Sequence, residues 1–246
     1  MNILGIDTST KKANVCIKKD DTILDKSINN EITHSEKLLP LIDKTLNEAD
    51  ISLKDIDYLA CSIGPGSFTG IRIGLATIKA FAKVINKPIF AVSSLDILAY
   101  ANYKNLSDYV ISIMDAKNSR IYYSVYKVME DNNLKYLKRL SEYQNDIIDT
   151  ALENIANILK KEGSISSIQI IGDCAKAYET SFNSSLNCIC DTISFKDEEL
   201  SGKSLVNMLN NYMLLNISNN YTKDYLTLDA IYVRPSQAER AKKNEL

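Results

Sequence analysis

The sequence predicts an α/β fold of two lobes with related topology, and two observations support this. A cycle of strand, strand, strand, helix and strand occurs twice along the 246 residues. The landmarks of the two cycles also keep the same spacing, since Asp7 and Asp115 each end a first strand and Gly64 and Gly172 mark the end of a fourth. We therefore predict an N-terminal lobe over residues 1–104 and a C-terminal lobe over residues 105–246.

The first cycle contains short apolar or alternating segments that are typical of strands. The predicted strands are Ile3–Asp7, Ala13–Lys18, Ile23–Ile28, Tyr58–Ile63 and Ile89–Ser93. Apolar residues at helical spacing and the capping box Thr33-x-x-Glu36 predict a helix over Ser35–Ala49. Pro40 removes one backbone hydrogen bond from this helix, so we expect a kink or a later start. A second helix is predicted over Ile71–Ile85.

The second cycle repeats this order. Its predicted strands are Val110–Met114, Ile121–Val128, Leu134–Leu140 and Ile168–Ile171, with a helix over residues 147–159 before the last of them. A helix after Ser201 and a strand near Ile231–Val233 complete the chain, and we expect this last segment to pack back on the first lobe.

The prediction is thus two lobes of βββαβα topology, each with an acidic residue at the end of its first strand. This is the layout of the actin-like ATPase (ribonuclease H-like) fold. In such proteins nucleotide lies in the cleft between the lobes, near the carboxyl ends of the strands.

The composition restricts the class of function. The formal net charge is −2 and the isoelectric point is about 5.6, whereas proteins that hold nucleic acid unaided usually carry a basic excess. The basic tail Arg234–Lys243 is either a solvated end or a contact for RNA or an acidic partner. Five cysteines without a Cys-x-x-Cys pair, and no apolar run long enough to span a membrane, indicate a reduced, cytoplasmic protein.

Residues 64–70 read Gly-Pro-Gly-Ser-Phe-Thr-Gly and join a predicted strand to a predicted helix. Glycine allows close approach of a ligand or of another backbone, and the N–H groups at a helix start attract anions. The segment lacks the Gly-Lys-Ser/Thr ending of a P-loop, so a tight turn that seats the next helix is an equal interpretation.

Two further turns carry polar side chains at the predicted cleft. Asp7, Thr8 and Ser9 either bind phosphate or simply satisfy a tight turn. Bulky Cys174 follows Gly172 and disfavours a close adenosine contact. The candidate nucleotide or phosphate contacts are Asp7, Thr8, Ser9, Gly64, Gly66, Ser67, Asp115 and Gly172. ATP hydrolysis by this chain alone, with Asp7 and Asp115, is the alternative function.

The predicted helix Ile71–Ile85 is apolar around most of its circumference. A surface helix normally has one apolar stripe, so this one is either enclosed by the fold or covered by another subunit. The candidate interface residues are His34, Leu38, Leu41, Arg72, Leu75, Ile78 and Phe81. His34 is the only histidine and cannot supply a histidine pair, so no metal site is expected in this chain alone.

Several motifs together resemble the TsaB (YeaZ) family. They are Ile-Asp-Thr-Ser-Thr at 6–10, His-Ser-Glu-x-Leu-Leu-Pro at 34–40, Gly-Pro-Gly-Ser-Phe-Thr-Gly-x-Arg-x-Gly at 64–74, Val-Ser-Ser-Leu at 92–95, Met-Asp-Ala at 114–116 and Tyr-Val-Arg-Pro-Ser-Gln-Ala-Glu-Arg at 232–240. The resemblance implies the actin-like fold and a non-catalytic scaffold in the synthesis of N6-threonylcarbamoyladenosine in tRNA.

The same resemblance implies the partners. TsaB pairs with the catalytic subunit TsaD through the helices of its first lobe, the ATPase TsaE joins the assembly, and homodimers form when TsaD is absent. Contact with tRNA is then indirect, through the complex. No cofactor is required by this chain, and ATP or ADP is expected at the junction with TsaD.

Overall fold

The computed structural model of the chain describes residues 1–29, 34–102 and 107–234, and of His34 the backbone alone. Thr33 of the expected capping box, the lobe boundary at 104 and most of the basic tail lie outside the described residues. Within them, twelve strands form two sheets.

The first sheet has the strand order β12-β5-β4-β1-β2-β3. Its strands are β1 (Asn2–Asp7), β2 (Lys12–Lys19), β3 (Thr22–Asn29), β4 (Tyr58–Ser62), β5 (Ile89–Val92) and β12 (Thr222–Lys223). The helices in this part of the chain are α1 (His34–Glu48), α2 (Phe68–Ile85) and α3 (Ser94–Tyr100).

The second sheet has the order β11-β10-β6-β7-β8, and β9 also pairs with β7. Its strands are β6 (Tyr109–Asp115), β7 (Arg120–Asp131), β8 (Leu134–Arg139), β9 (Gln144–Ile147), β10 (Ile165–Gly172) and β11 (Cys190–Asp197). The remaining helices are α4 (Ile148–Leu159), α5 (Glu179–Leu186) and α6 (Gly202–Leu214).

The two sheets share one topology. In each, the first three strands are antiparallel neighbours, and the fourth and fifth run parallel to the first. The order third, second, first, fourth, fifth therefore occurs twice, which confirms the predicted duplication.

The sheets and helices stack in five layers. One hydrophobic cluster joins α1 and α2 to the outer face of the first sheet, and another joins α4 and α5 to the outer face of the second. The largest cluster lies between the sheets, where α6 packs mainly against the first sheet, α3 packs against the second, and the two helices contact each other. Enclosure between the second sheet and α6 explains why all seven residues of α3 are buried.

Some predicted elements differ from the structure. Helix α2 begins three residues early, at Phe68, because the Ser67 hydroxyl accepts from the Gly70 N–H and caps it. Helix α1 starts at His34 and continues through Pro40, so the later start was wrong. Residues 231–233 form no strand. In the part of the chain that the structure describes, no helix is both apolar enough and long enough to cross a membrane.

Candidate functional site

A cleft of about 920 Å³ separates the two lobes at the carboxyl ends of β1 and β6. Ser9, Gly66 and Ser67 line it from the first lobe, and Asp115 lines it from the second. The structure thus brings half of the eight candidate phosphate contacts to one cavity. Asp7, Thr8, Gly64 and Gly172 lie behind its walls and are buried.

Asp7 is held entirely by its own chain. Its Oδ1 accepts from the Ser9 N–H at 3.1 Å, from the Ser9 hydroxyl at 2.7 Å and from the Ser62 hydroxyl, and its Oδ2 accepts from the Asn14 amide at 3.1 Å. The side chain is fully buried. This carboxylate ties β1 to β2 and β4, which gives Asp7 a structural role; its contact with nucleotide stays a prediction.

The glycine turn packs directly on the hydroxyl turn that follows β1. The Ser67 N–H donates to the Ser9 carbonyl at 2.7 Å, and a Cβ at Gly66 would lie 2.1 Å from that same oxygen. The Thr8 hydroxyl donates to the Gly70 carbonyl at 2.7 Å. These contacts occupy the Ser67 N–H and the Thr8 hydroxyl within the chain, which favours the tight-turn interpretation.

Gly172 also has a packing role. A Cβ there would lie 1.7 Å from the Ile113 carbonyl oxygen, so glycine lets the ends of β10 and β6 pair closely. The structure thus gives Gly172 a reason in the packing of the second sheet, and its candidate role as a nucleotide contact stays a prediction.

Asp115 occupies the position in the second lobe that Asp7 occupies in the first, yet its surroundings are different. It is exposed and accepts from the backbone and the ammonium group of Lys117. Partial burial alone would raise the pKa of Asp115, but the Lys117 hydrogen bonds and charge outweigh it and hold that pKa below its usual value. Asp115 is thus a cleft carboxylate that stays ionised beside a cation. Among the described residues, no group of three or more histidine, cysteine or acidic side chains is arranged to hold a metal ion.

The candidate interface residues divide into two groups. Leu38, Leu75 and Ile78 are buried in the cluster that joins α1 and α2 to the first sheet, so the structure places these three predicted interface residues in the core of the chain. Leu41 and Phe81 are half-buried at the edge of that cluster. The side chain of His34 lies outside the described residues.

Arg72 is exposed, but its guanidinium is engaged within the chain. Its Nε donates to the Tyr232 hydroxyl at 3.0 Å, and the guanidinium carbon lies 3.8 Å from the centre of the Phe68 ring. Arg234 also bonds inside the molecule, because its Nη1 donates to the Ala116 carbonyl at 2.7 Å. The expectation of a solvated end is therefore wrong for Arg234.

The outer face of α2 carries an apolar stripe that sequence reasoning did not select. It consists of the exposed residues Ala76, Ala80 and Val84, at spacings of four residues, and is defined here as the outer stripe. Ile73, one turn earlier, is half-buried and packs against the core cluster. Val84 is 75% exposed, and on α1 Leu39 is 53% exposed. The sequence pattern is apolar around most of α2, but it does not say which face points inward; coverage of the outer face by another subunit stays a prediction.

Two sheets of the same 3-2-1-4-5 order around a central cleft define a protein of the actin-like ATPase fold class. A family model described as "TsaD: tRNA N6-adenosine threonylcarbamoyltransferase" matches residues 22–208 of the chain. The "tRNA threonylcarbamoyladenosine biosynthesis protein TsaB" of Bacillus subtilis (strain 168) is 31% identical to this chain, over 67% of this chain and 80% of that protein. The chain belongs to the TsaB family, which the TsaD-type family model also matches.

Other comparisons agree. The protein of the same name from Buchnera aphidicola subsp. Schizaphis graminum is 36% identical over 57% of this chain and 66% of that protein. The solved structure of YeaZ from Pseudomonas aeruginosa covers 94% of this chain and 100% of its own, at 19% identity and a TM-score of 0.68. A second Pseudomonas aeruginosa structure, described as similar to peptidase YEAZ, gives 20% identity, a TM-score of 0.73 and coverage of 95% and 99%. At these identities, the two structures establish the shared fold.

Proposed function

We propose that this chain is the non-catalytic scaffold subunit in the synthesis of N6-threonylcarbamoyladenosine in tRNA, and that it pairs with a TsaD-type catalytic subunit through α2. The names of the TsaB relatives support the pathway. The observation that carries the pairing is the outer stripe. Its residues lie opposite the core face formed by Ile71, Leu75, Ile78 and Ala82.

The outer stripe has the chemistry of an interface. Val84 leaves most of its surface in water, and exposed apolar patches on soluble proteins mark binding surfaces. Ala76 and Ala80 are small, so a second helix can approach α2 closely along the stripe. Lys79 and Lys83 flank it and supply a charged rim.

A TsaD-type partner is favoured over an unrelated protein because it is a homologue. The tRNA N6-adenosine threonylcarbamoyltransferase of Kosmotoga olearia is 25% identical over 65% of this chain and 52% of that protein. Two homologous chains can pair equivalent helices in a nearly symmetric way, and a second copy of this chain can use the same stripe. Homodimers in the absence of TsaD are part of the proposal.

The bonding of Asp7 supports a scaffold rather than an ATP-hydrolysing enzyme. A carboxylate that already accepts four hydrogen bonds from its own chain, in full burial, is not available to a magnesium nucleotide. The proposal accordingly locates ATP or ADP at the junction with TsaD. It includes recruitment of TsaE, indirect contact with tRNA and a cytoplasmic location.

The pairing is tested by measuring the dissociation constant between this chain and the TsaD-type subunit of the same organism by isothermal titration calorimetry. We expect Val84→Glu to weaken binding by about tenfold or more, because the carboxylate would be buried without a partner. Ser185→Glu is the matched control: it adds the same charge to an exposed position of α5 and is expected to leave binding unchanged.

Leu75→Glu separates the two faces of α2. Because Leu75 lies in the core, this variant is expected to lower the free energy of unfolding of the chain itself, whereas Val84→Glu leaves it nearly unchanged. Binding by Val84→Glu as tight as that of the unchanged chain would exclude the outer stripe as the interface.

A further inference from the structure

Residues 231–234 cross the mouth of the cleft and contact both lobes. All four line the cavity, together with residues of the glycine turn on one side and of the β6–β7 turn on the other. These residues form no strand, so individual hydrogen bonds and side-chain contacts hold them in place rather than a ladder of backbone bonds.

The anchor on the first lobe combines a backbone bond with a stack of side chains. The Ile231 N–H donates to the Ile63 carbonyl at 2.7 Å. The Tyr232 ring lies 5.0 Å from the Phe68 ring, and its hydroxyl accepts from Arg72 Nε. Phe68 and Arg72 belong to the first turns of α2, so this anchor holds the start of that helix.

Gly64 makes room for the same anchor. Its φ is +97°, and a Cβ there would lie 2.8 Å from the Ile231 carbonyl oxygen. A side chain at this position would therefore push residue 231 away from β4. Gly64 was a candidate phosphate contact, and the structure instead gives it a packing role.

The anchor on the second lobe is the charge-assisted hydrogen bond from Arg234 to the Ala116 carbonyl. Ala116 begins an unusual turn in which Lys117, Asn118 and Ser119 all have left-handed backbone conformations, with φ of 63°, 56° and 54°. The Ala116 N–H closes this turn by donating to the Arg120 carbonyl at 3.0 Å.

We infer that residues 231–234 act as a clasp that holds the two lobes at a fixed separation across the cleft. At the floor of the cleft the lobes are joined by the apolar layer of α3 and α6, which can serve as a hinge. At the rim, Lys12 of β2 pairs with Glu199, but this pair is exposed and contributes little. Beside this pair, the Asn14 amide of β2 donates to the carbonyl of Leu200, which follows β11, at 3.1 Å. The clasp adds a separate polar restraint between the glycine turn and the β6–β7 turn, and it stands independently of the proposed partner.

The test is hydrogen–deuterium exchange with mass spectrometry on the full chain, because a clasp transmits a change from one lobe to the other. Arg234→Ala removes the anchor on the second lobe and is expected to accelerate exchange about tenfold in residues 63–70 of the first lobe and at the Ile231 amide. Tyr232→Ala removes part of the anchor on the first lobe and is expected to accelerate exchange in residues 116–120 of the second.

Two controls make the result decisive. Arg234→Lys retains a charged donor and is expected to restore most of the protection at residues 63–70. Exchange within β10 should be unchanged in every variant. Changes confined to the lobe that lost its contact would overturn the inference, and so would a uniform acceleration through both sheets, which would indicate general destabilisation.

Discussion

The stability of an Asp7→Ala variant distinguishes a structural role of this buried carboxylate from a ligand-binding role. In Asp7→Ala, the Ser9 N–H, the Asn14 amide and the Ser62 hydroxyl lose a buried acceptor. A buried donor without a partner costs about 1–3 kcal/mol. Partial rearrangement of the two serines reduces the sum, so we expect the free energy of unfolding to fall by about 3–5 kcal/mol.

Asp115→Ala is the matched control, because Asp115 holds the same position in the duplicated lobe. Its side chain is 35% exposed and pairs with Lys117, which is also exposed. Removal of such a surface pair changes stability by less than about 1 kcal/mol. The two free energies are measured by urea unfolding followed by circular dichroism. Equal stability of Asp7→Ala and the unchanged chain would refute the structural role, since ligand-binding carboxylates are often neutral or destabilising in the free protein.

Two further predictions concern backbone packing and pH. Gly66→Ala is expected to destabilise the chain by at least about 2 kcal/mol, because the new Cβ would clash with the Ser9 carbonyl oxygen. The control Gly163→Ala has open space around its Cβ and is expected to cost only about 1 kcal/mol of left-handed backbone strain. Equal urea midpoints for the two variants would contradict this prediction. Burial raises the pKa of Asp96, although hydrogen bonds from the Tyr143 and Tyr126 hydroxyls oppose this shift. The folded protein therefore binds a proton at Asp96 more tightly than the unfolded chain does. The stability of the unchanged chain relative to Asp96→Asn should therefore increase as pH falls from 7 towards 4, and a relative stability that decreases in this window would be the contrary result.

Much of the fold could be predicted from the sequence because most elements bury a single face. The strands of the first lobe alternate or run apolar, and β1, β2 and β3 lie within one or two residues of their predicted bounds. Helix α3 was missed because the second sheet and α6 enclose it and no amphipathic period remains. Strand β11 was missed because this edge strand, Cys190–Asp197, is mostly polar and partly exposed.

The candidate site was harder to predict, since distant segments decide it. Asp7 and Asp115 are equivalent in sequence position, and only the neighbours Asn14 and Ser62 show that the first is enclosed. The pattern of Ile231–Val233 resembles a strand, but β4 is already paired with β1 and β5 on its two edges. Among the described residues, the Ile231 N–H bonds the Ile63 carbonyl just beyond β4, and no ladder forms. Local patterns contain neither fact.

Helix α6 has a consequence for the synthesis of the chain. It covers the inner face of the first sheet, where Gly5 lies against Val206 and Cys16 against Gly202, and β12 then completes that sheet beyond β5. A nascent chain that has not yet reached Gly202 therefore leaves the inner face of its N-terminal half in water. The lobe that is translated first is therefore completed only after the strands of the second lobe, α6 and β12 have left the ribosome.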